Sequence, residues 1–325
     1  MKTTAFVDET RSPATTGVPP VDLSVGLGDL ALANPVMPAS GCFGPELDGL
    51  TRVEELGAVV TKTVFAHARP GNPTHRITEL PHGMLNSVGI PSAGVVPFRE
   101  AGLGGYAGLG VPVVVSVGGL SAQEYWDVVD ELSESPHAAF EVNVSCPNLE
   151  RGGATLDTDP RAMGEVVAGV VARSAKPVFV KLSPQLQTIG DAVRAARDAG
   201  ATAVTVCNSF PGMAVDARQR SSALGNETGG VSGPIVKPLA LRLVWLAARA
   251  ADIPVIGCGG IRSASDVAEF LVAGATAVQI GTATFARPHL MAQIVEELPA
   301  LAARLGVACL AELIGTLSTQ SEDQR

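Results

Sequence analysis

A (βα)8 TIM barrel is the fold class that this 325-residue sequence predicts, and three regularities point to it. Pro-Val pairs open four apolar runs, at Pro35-Val36, Pro112-Val113, Pro177-Val178 and Pro254-Val255, separated by 77, 65 and 77 residues. Gly-Ala pairs open three more, at Gly57-Ala58, Gly200-Ala201 and Gly274-Ala275, and the hexapeptide AGATAV occurs at both 199–204 and 273–278. The run AAFEVNVSCPN, from Ala138, fills the remaining gap. The eight runs begin near residues 36, 59, 113, 140, 178, 203, 255 and 277. Their mean spacing is about 35 residues, the length of a βα unit.

Each element has a local reason. Proline suits the first residue of a strand, where its missing N–H costs the ladder little. The runs are short, β-branched and apolar on both faces, as strands of a buried parallel sheet must be. Between the fifth and sixth runs, Leu186, Ile189, Val193 and Ala196 recur at helical spacing. Val267, Phe270 and Leu271 do the same between the seventh and eighth, ahead of a glycine stop at Gly274. Residues 1–20 read as a polar N-terminal tail, 21–316 as one barrel domain and 317–325 as a C-terminal tail. No low-complexity linker divides the middle.

Composition narrows the function. The chain is 46% hydrophobic and only 17% charged, which excludes a disordered protein. A net charge of −9 argues against a nucleic-acid surface. No apolar stretch reaches the ~18 residues of a membrane helix, and the N-terminal residues carry no secretory apolar region. The expectation is a soluble, cytoplasmic protein. The five cysteines are scattered singly, so neither a disulfide framework, a zinc site nor an iron–sulfur cluster is expected on this chain. His67, His75 and His82 fall in the loop after the second strand without metal-site spacing and read as loop or rim residues, so no metal is expected.

Barrel chemistry sits at the C-terminal strand ends, and there the polar residues of this sequence gather. In order the ends read Ala39-Ser40-Gly41, Lys62-Thr63, Ser116-Val117-Gly118, Asn143 to Asn148, Lys181-Leu182-Ser183, Cys207-Asn208-Ser209, Gly259-Gly260 and Gly281-Thr282. Lys62 and Lys181 must meet an anion or lose their charge, because an isolated buried charge is too costly. Gly259-Gly260 and Gly281-Thr282 follow the seventh and eighth strands, where barrels bind phosphate through backbone N–H groups. Cys146 stands in a polar strand-end loop, a setting that favours a reactive thiol. Cys42, Cys207 and Cys258 read as packing residues. Acidic residues such as Asp191, Asp198, Asp266 and Glu269 read as helix surface, and no carboxylate pair is poised for acid–base work.

The segments GMLNSVGIPSAGV, EVNVSCPNLERGG, VFVKLSP, TVCNSFPGMAVD, GGVSGPIVKPLALR, IGCGGI and VQIGTATF occur in that order. Together, over roughly residues 21–316, they resemble the dihydroorotate dehydrogenases. Cysteine at 146 resembles class 1, and the stretch from Pro211 to Trp245 with the CPNLERGG form looks most like class 1B catalytic subunits. The resemblance implies FMN-dependent oxidation of (S)-dihydroorotate to orotate in de novo pyrimidine (UMP) synthesis. It also implies a homodimeric core and a partner subunit that carries FAD and a [2Fe–2S] cluster and reduces NAD.

Residue by residue, the resemblance makes Cys146 the base that removes the C5 proton. Lys62, Asn86, Ser87, Val88, Gly89, Ile90, Asn143, Asn148, Asn208 and Ser209 match substrate positions. Ser40, Lys62, Thr63, Ser116, Asn143, Lys181, Cys207, Gly233, Gly259, Gly260, Gly281 and Thr282 match FMN positions. Ser116 stands where the family usually has Asn, Ser92 replaces a common Asn, and Ser209 stands where B-type members often have Thr. A class 1A enzyme reducing fumarate and another flavin-dependent dihydropyrimidine oxidoreductase remain alternatives. A flavin-free phosphate-binding barrel would leave NVSCPN and the Asn86 cluster without a purpose. A non-enzymatic barrel would leave Cys146, Lys62 and Lys181 without one.

Overall fold

The computed structural model describes residues 21–145, 156–184 and 187–318. Eight parallel strands form one sheet: β1 (Val36–Pro38), β2 (Val59–Val60), β3 (Val113–Val117), β4 (Ala139–Asn143), β5 (Val178–Leu182), β6 (Ala203–Val206), β7 (Val255–Cys258) and β8 (Ala277–Ile280). Their order is β1-β8-β7-β6-β5-β4-β3-β2. All eight lie at the predicted runs, and the fold is the (βα)8 barrel the sequence predicts. The ring closes between β1 and β2 through single hydrogen bonds rather than a ladder. Gly57 N–H donates to Val36 O at 2.9 Å, and Asn34 Nδ2 donates to Glu55 O at 2.7 Å. Gly57 is required there, because a Cβ would be driven into the Asn34 carbonyl.

Period-2 alternation along each strand sorts side chains between two cores. Val36, Val59, Val113, Phe140, Val178, Val204, Val255 and Val278 pack outward against the helices. Met37, Val60, Val114, Ala139, Phe179, Ala203, Ile256 and Ala277 fill the lower barrel interior. A hairpin of Val25–Leu27 and Leu30–Leu32, turning at Gly28 (φ 62°), adds Val25, Leu27 and Leu32 to that interior and plugs the N-terminal end.

The principal helices are α1 (Ala122–Leu132), α2 (Pro160–Val171), α3 (Ile189–Asp198), α4 (Lys237–Ala248), α5 (Ala264–Val272) and α6 (Leu290–Leu305). Ser121, Asp159 and Ser263 cap α1, α2 and α5 by accepting backbone N–H groups that the first turn leaves unpaired. Ile189, Val193 and Ala196 are buried on α3, and Val267, Phe270 and Leu271 on α5. Leu186 lies outside the described residues. Gly274 has φ 113° just beyond α5, consistent with the stop.

Asp266 departs from the surface reading. It is buried, because its carboxylate takes Lys237 Nζ at 2.6 Å and Arg262 N–H at 2.9 Å. This pins the start of α5 to the start of α4.

A four-stranded antiparallel sheet, unforeseen in the sequence, comes from the loops after β2 and β6. Its order is Phe210–Gly212, Gly229–Ser232, Gly83–Asn86, Ile77–Leu80. It delivers Asn86, Ser209 and Gly233 to the C-terminal end of the barrel. The expected N-terminal tail, 1–20, lies outside the described residues, as does the expected C-terminal tail, 317–325, from residue 319 on. Leu317 N–H donates to Val272 O at 3.1 Å. Among the described residues no helix is long and apolar enough to cross a membrane.

Candidate active site

A pocket of about 490 Å3 opens at the C-terminal strand ends beneath the antiparallel sheet. Its volume is that of a small-molecule site. Ser40, Lys62, Thr63, Asn143, Lys181, Cys207, Gly233, Gly259, Gly260, Gly281 and Thr282 line it, as do Asn86, Val88, Gly89, Ile90, Asn208 and Ser209. The structure thus brings nearly all the described candidate residues to one place.

Two stand behind the wall. Ser116 is fully buried and bonds Thr63 Oγ1 at 2.9 Å, and Ser87 accepts from Asn72 Nδ2 and Asn226 Nδ2, both at 2.9 Å. Cys146 and Asn148 lie outside the described residues. Cys42, Cys207 and Cys258, read from the sequence as packing residues, line the pocket. The short strands end at or just before them, so packing positions at the strand tips are also pocket positions.

One chain of hydrogen bonds crosses the pocket wall. Thr63 Oγ1 is its hub: it accepts from Asn143 Nδ2 at 3.1 Å and meets Ser116 Oγ and Ser40 Oγ at 2.9 and 3.3 Å. Ser40 Oγ also donates to Thr61 O at 2.8 Å across the β1–β2 seam. Asn143 Oδ1 accepts from Ser145 Oγ at 2.8 Å, and Asn208 Nδ2 donates to the same Ser145 hydroxyl at 2.9 Å. The amides facing the pocket are therefore held in fixed rotamers by groups on or just beyond β1, β2, β3 and β4. Such support preorganises polar contacts.

Among the described residues the lining carries two lysines and no carboxylate, so the pocket is a cationic hole in an acidic protein. Lys62 is held below its ordinary pKa by desolvation and by the neighbouring Arg76 guanidinium. Lys181 is buried, which works against its charge, yet its pKa lies above the usual lysine value because Cys258, Glu141, Cys42 and Cys207 face it. Burial pushes the Cys42 thiol up to about 12 and Cys207 and Cys258 upward as well, so all three are neutral at pH 7. Glu141 is then the anion that sustains the Lys181 charge. A second cavity of about 420 Å3 shares Lys62 and Thr63 but adds Glu46, Phe98 and Tyr106, and the other strand-end candidates do not reach it.

The turns at one end of the pocket bring bare backbone to its surface. Gly259 and Gly260 have φ 131° and 80°, and a Cβ on Gly260 would collide with the Lys237 backbone. Ser232 and Thr282 hydroxyls meet there at 2.8 Å.

A family model described as dihydroorotate dehydrogenase matches residues 22–302. The chain belongs to the dihydroorotate dehydrogenase family. It is thereby an oxidoreductase, and its similarity runs to class 1B, as the sequence motifs imply. It is 44% identical over 301 residues to the dihydroorotate dehydrogenase B (NAD(+)) catalytic subunit of Geotalea uraniireducens, covering 92% of this chain and 99% of that one. It is 42% identical over 296 residues to the equally named subunit of a Geobacillus species, covering 90% and 95%. A solved dihydroorotate dehydrogenase from Eimeria tenella, in complex with ferulenol, superposes with a TM-score of 0.78 over 93% of this chain and 90% of that one. At 20% identity that likeness supports the fold alone.

Three polar residues of the barrel interior escaped the sequence reading: Glu141, Thr205 and Gln279. Each is a single polar residue inside an apolar run, and all are buried. A signal existed, since Thr205 and Gln279 follow the two AGATAV repeats at the same offset.

Proposed function

We propose that this chain oxidises (S)-dihydroorotate to orotate in pyrimidine biosynthesis, with FMN held in the strand-end pocket and Cys146 as the base. The observation that carries the reading is the convergence of buried Lys181, the braced amides of Asn143 and Asn208, and the Gly259-Gly260 and Gly281-Thr282 turns on one cavity. Those features fit FMN. Bare glycine turns beside the Ser232 and Thr282 hydroxyls suit a phosphate, and a buried cation suits a ring that gains negative charge on reduction. Bound flavin would supply the two-electron acceptor for the C6 hydride of the substrate.

The chain's own residues do the rest. Lys62 is the cation for the substrate carboxylate, aided by its place at the pocket wall. Asn86, Asn143 and Asn208 offer both donors and acceptors, as a cyclic imide edge requires. Cys146 directly follows Ser145, whose hydroxyl links Asn143 to Asn208, so the base stands in sequence next to the residue that braces both amides. A thiolate with a pKa near neutrality removes the C5 proton at physiological pH. Because the relatives are named as catalytic subunits of an NAD(+) enzyme, the proposal includes a partner subunit with FAD and a [2Fe–2S] cluster as the relay to NAD.

Purified protein should be yellow, with absorbance near ~450 nm, and should bleach on anaerobic mixing with dihydroorotate. Cys146→Ala should slow the bleaching strongly at neutral pH. A colourless protein that FMN does not reconstitute overturns the flavin assignment, and unchanged bleaching in Cys146→Ala overturns the base. Turnover with fumarate by this chain alone overturns the NAD relay.

A further inference from the structure

Glu141 is a charged side chain that the proposed chemistry does not use. It sits in the middle of β4 with no solvent exposure, and burying a carboxylate is costly unless its surroundings compensate it. Its Oε2 accepts from Thr205 Oγ1 at 2.8 Å and from Gln279 Nε2 at 2.5 Å. Its Oε1 is buried without a hydrogen-bond partner among the described residues. The other end of the Gln279 amide, Oε1, accepts from Lys181 Nζ at 2.9 Å. Glu141, Thr205 and Gln279 come from β4, β6 and β8, the alternate strands that build one layer of a barrel.

The chemistry of the groups fixes the direction of this chain. An ionised carboxylate only accepts, so Gln279 must present Nε2 to Glu141 and therefore Oε1 to Lys181. A flipped amide would set acceptor against acceptor and donor against donor. The glutamine also acts as a spacer. A direct Glu–Lys contact would draw the ammonium into a pair beneath the pocket. Through the amide, Lys181 commits one of its three donors to Gln279 and keeps its charge at the pocket floor.

We propose that Glu141 is a positioning residue which, through Gln279, orients Lys181 and holds it as a cation in the wall of the pocket that would take FMN. This deepens the FMN reading of the pocket and rests on it. The groups facing Lys181 are Glu141 from β4, Cys42 from the loop after β1, Cys207 after β6 and Cys258 from β7. Since the three thiols are neutral below pH 9, Glu141 alone among them supplies a counter-charge. Without it, burial governs Lys181, and a buried lysine unsupported by an anion loses its proton near neutrality.

The test is the midpoint potential of the FMN-loaded full-length chain at pH 6 and pH 8.5. Glu141→Gln should favour oxidised over reduced flavin at least tenfold more than the native protein at pH 8.5. For a two-electron couple that is a potential lower by about 30 mV. At pH 6, where Lys181 regains its proton, the gap should close. Lys181→Met should be lowered at both pH values, and Glu141→Asp should stay at the native potential.

If Glu141→Gln does not fold, the double variant Glu141→Gln/Lys181→Met, which removes both charges of the buried pair, takes its place. It should match Lys181→Met at both pH values. A difference above tenfold between those two shows that Glu141 acts other than through Lys181 and overturns the proposal. Yellow Glu141→Gln protein with the native potential at both pH values also overturns it. A native protein that takes up no FMN overturns the flavin reading itself, and the proposal with it.

Discussion

Thr63 offers the sharpest test of the idea that the pocket is preorganised by its own hydrogen bonds. Thr63→Val keeps the shape of the side chain and removes one oxygen. That oxygen accepts from Asn143 Nδ2 at 3.1 Å and meets Ser116 Oγ at 2.9 Å and Ser40 Oγ at 3.3 Å. Ser40 keeps its bond to Thr61 O at 2.8 Å, so its loss is small. Asn143 and Ser116 are both buried, and each is left short of a partner. A buried polar group stripped of its partner costs roughly 1–3 kcal/mol. Because the two share one hub their costs do not add fully, and the expected destabilisation is about 2–4 kcal/mol. Urea unfolding with linear extrapolation reads it directly. Dihydroorotate turnover should fall in parallel, because the Asn143 amide is no longer held. Thr63→Ser keeps the oxygen and should lie much closer to the native protein. A Thr63→Val protein within about 0.5 kcal/mol of native stability, with native turnover, would refute the hub, because Asn143 and Ser116 would then have found other partners.

Two further outcomes are expected. The buried Asp157 carboxylate accepts Ser183 N–H at 2.6 Å and Ser183 Oγ at 2.8 Å, while the adjacent Leu156 N–H donates to Val144 O at 3.2 Å. Asp157→Ala removes two charge-assisted hydrogen bonds that tie β4 to the end of β5, and should cost about 2–4 kcal/mol in urea unfolding, whereas a loss below about 1 kcal/mol would mean that water replaces the carboxylate. At the opposite end of the barrel, burial and then the neighbouring Lys176 push the His137 imidazole down to about 4. The folded chain therefore keeps His137 neutral where the unfolded chain, with a pKa near ~6.5, is already protonated. Stability is fully present above that value and drains away as pH falls toward 4, by about 2 kcal/mol after allowance for partial exposure. His137→Gln should flatten that acid limb in urea unfolding measured at pH 4, 5 and 7; an unchanged slope would place the proton uptake elsewhere.

The barrel strands were legible because their punctuation is physical. Proline enters where no ladder donor is needed, glycine enters where the chain approaches a neighbour too closely for a Cβ, and Gly57 against the Asn34 carbonyl shows the second case. The antiparallel sheet over the pocket was not legible. Its strands are three or four residues long, three of the four contain glycine, and Leu85 is the single buried residue among them, so none alternates between buried and exposed positions. Pairing there is decided by the loops that bring the strands together rather than by periodicity, so Asn86 and Gly233 reach the pocket by a route the sequence pattern does not encode.

The barrel interior was legible only by halves. Below, alternation puts Met37, Val60, Val114, Phe179 and Ile256 inward, and an apolar run announces an apolar core. One turn of the pleat higher, the same alternation turns Glu141, Lys181, Thr205 and Gln279 inward, and hydropathy cannot say whether a polar residue there faces core or helix. Lys181 is legible because it stands at a strand end; Glu141 is not, because apolar residues flank it on both sides. Yet the second explains the first. A lysine buried at a strand end is tolerable as a cation only if an anion is buried within reach, and β4 is the strand beside β5 on which Glu141 supplies one. The rule that the lower core obeys, apolar inward, thus breaks at the level where the pocket begins, and the residues that break it do so as a compensated set rather than one at a time.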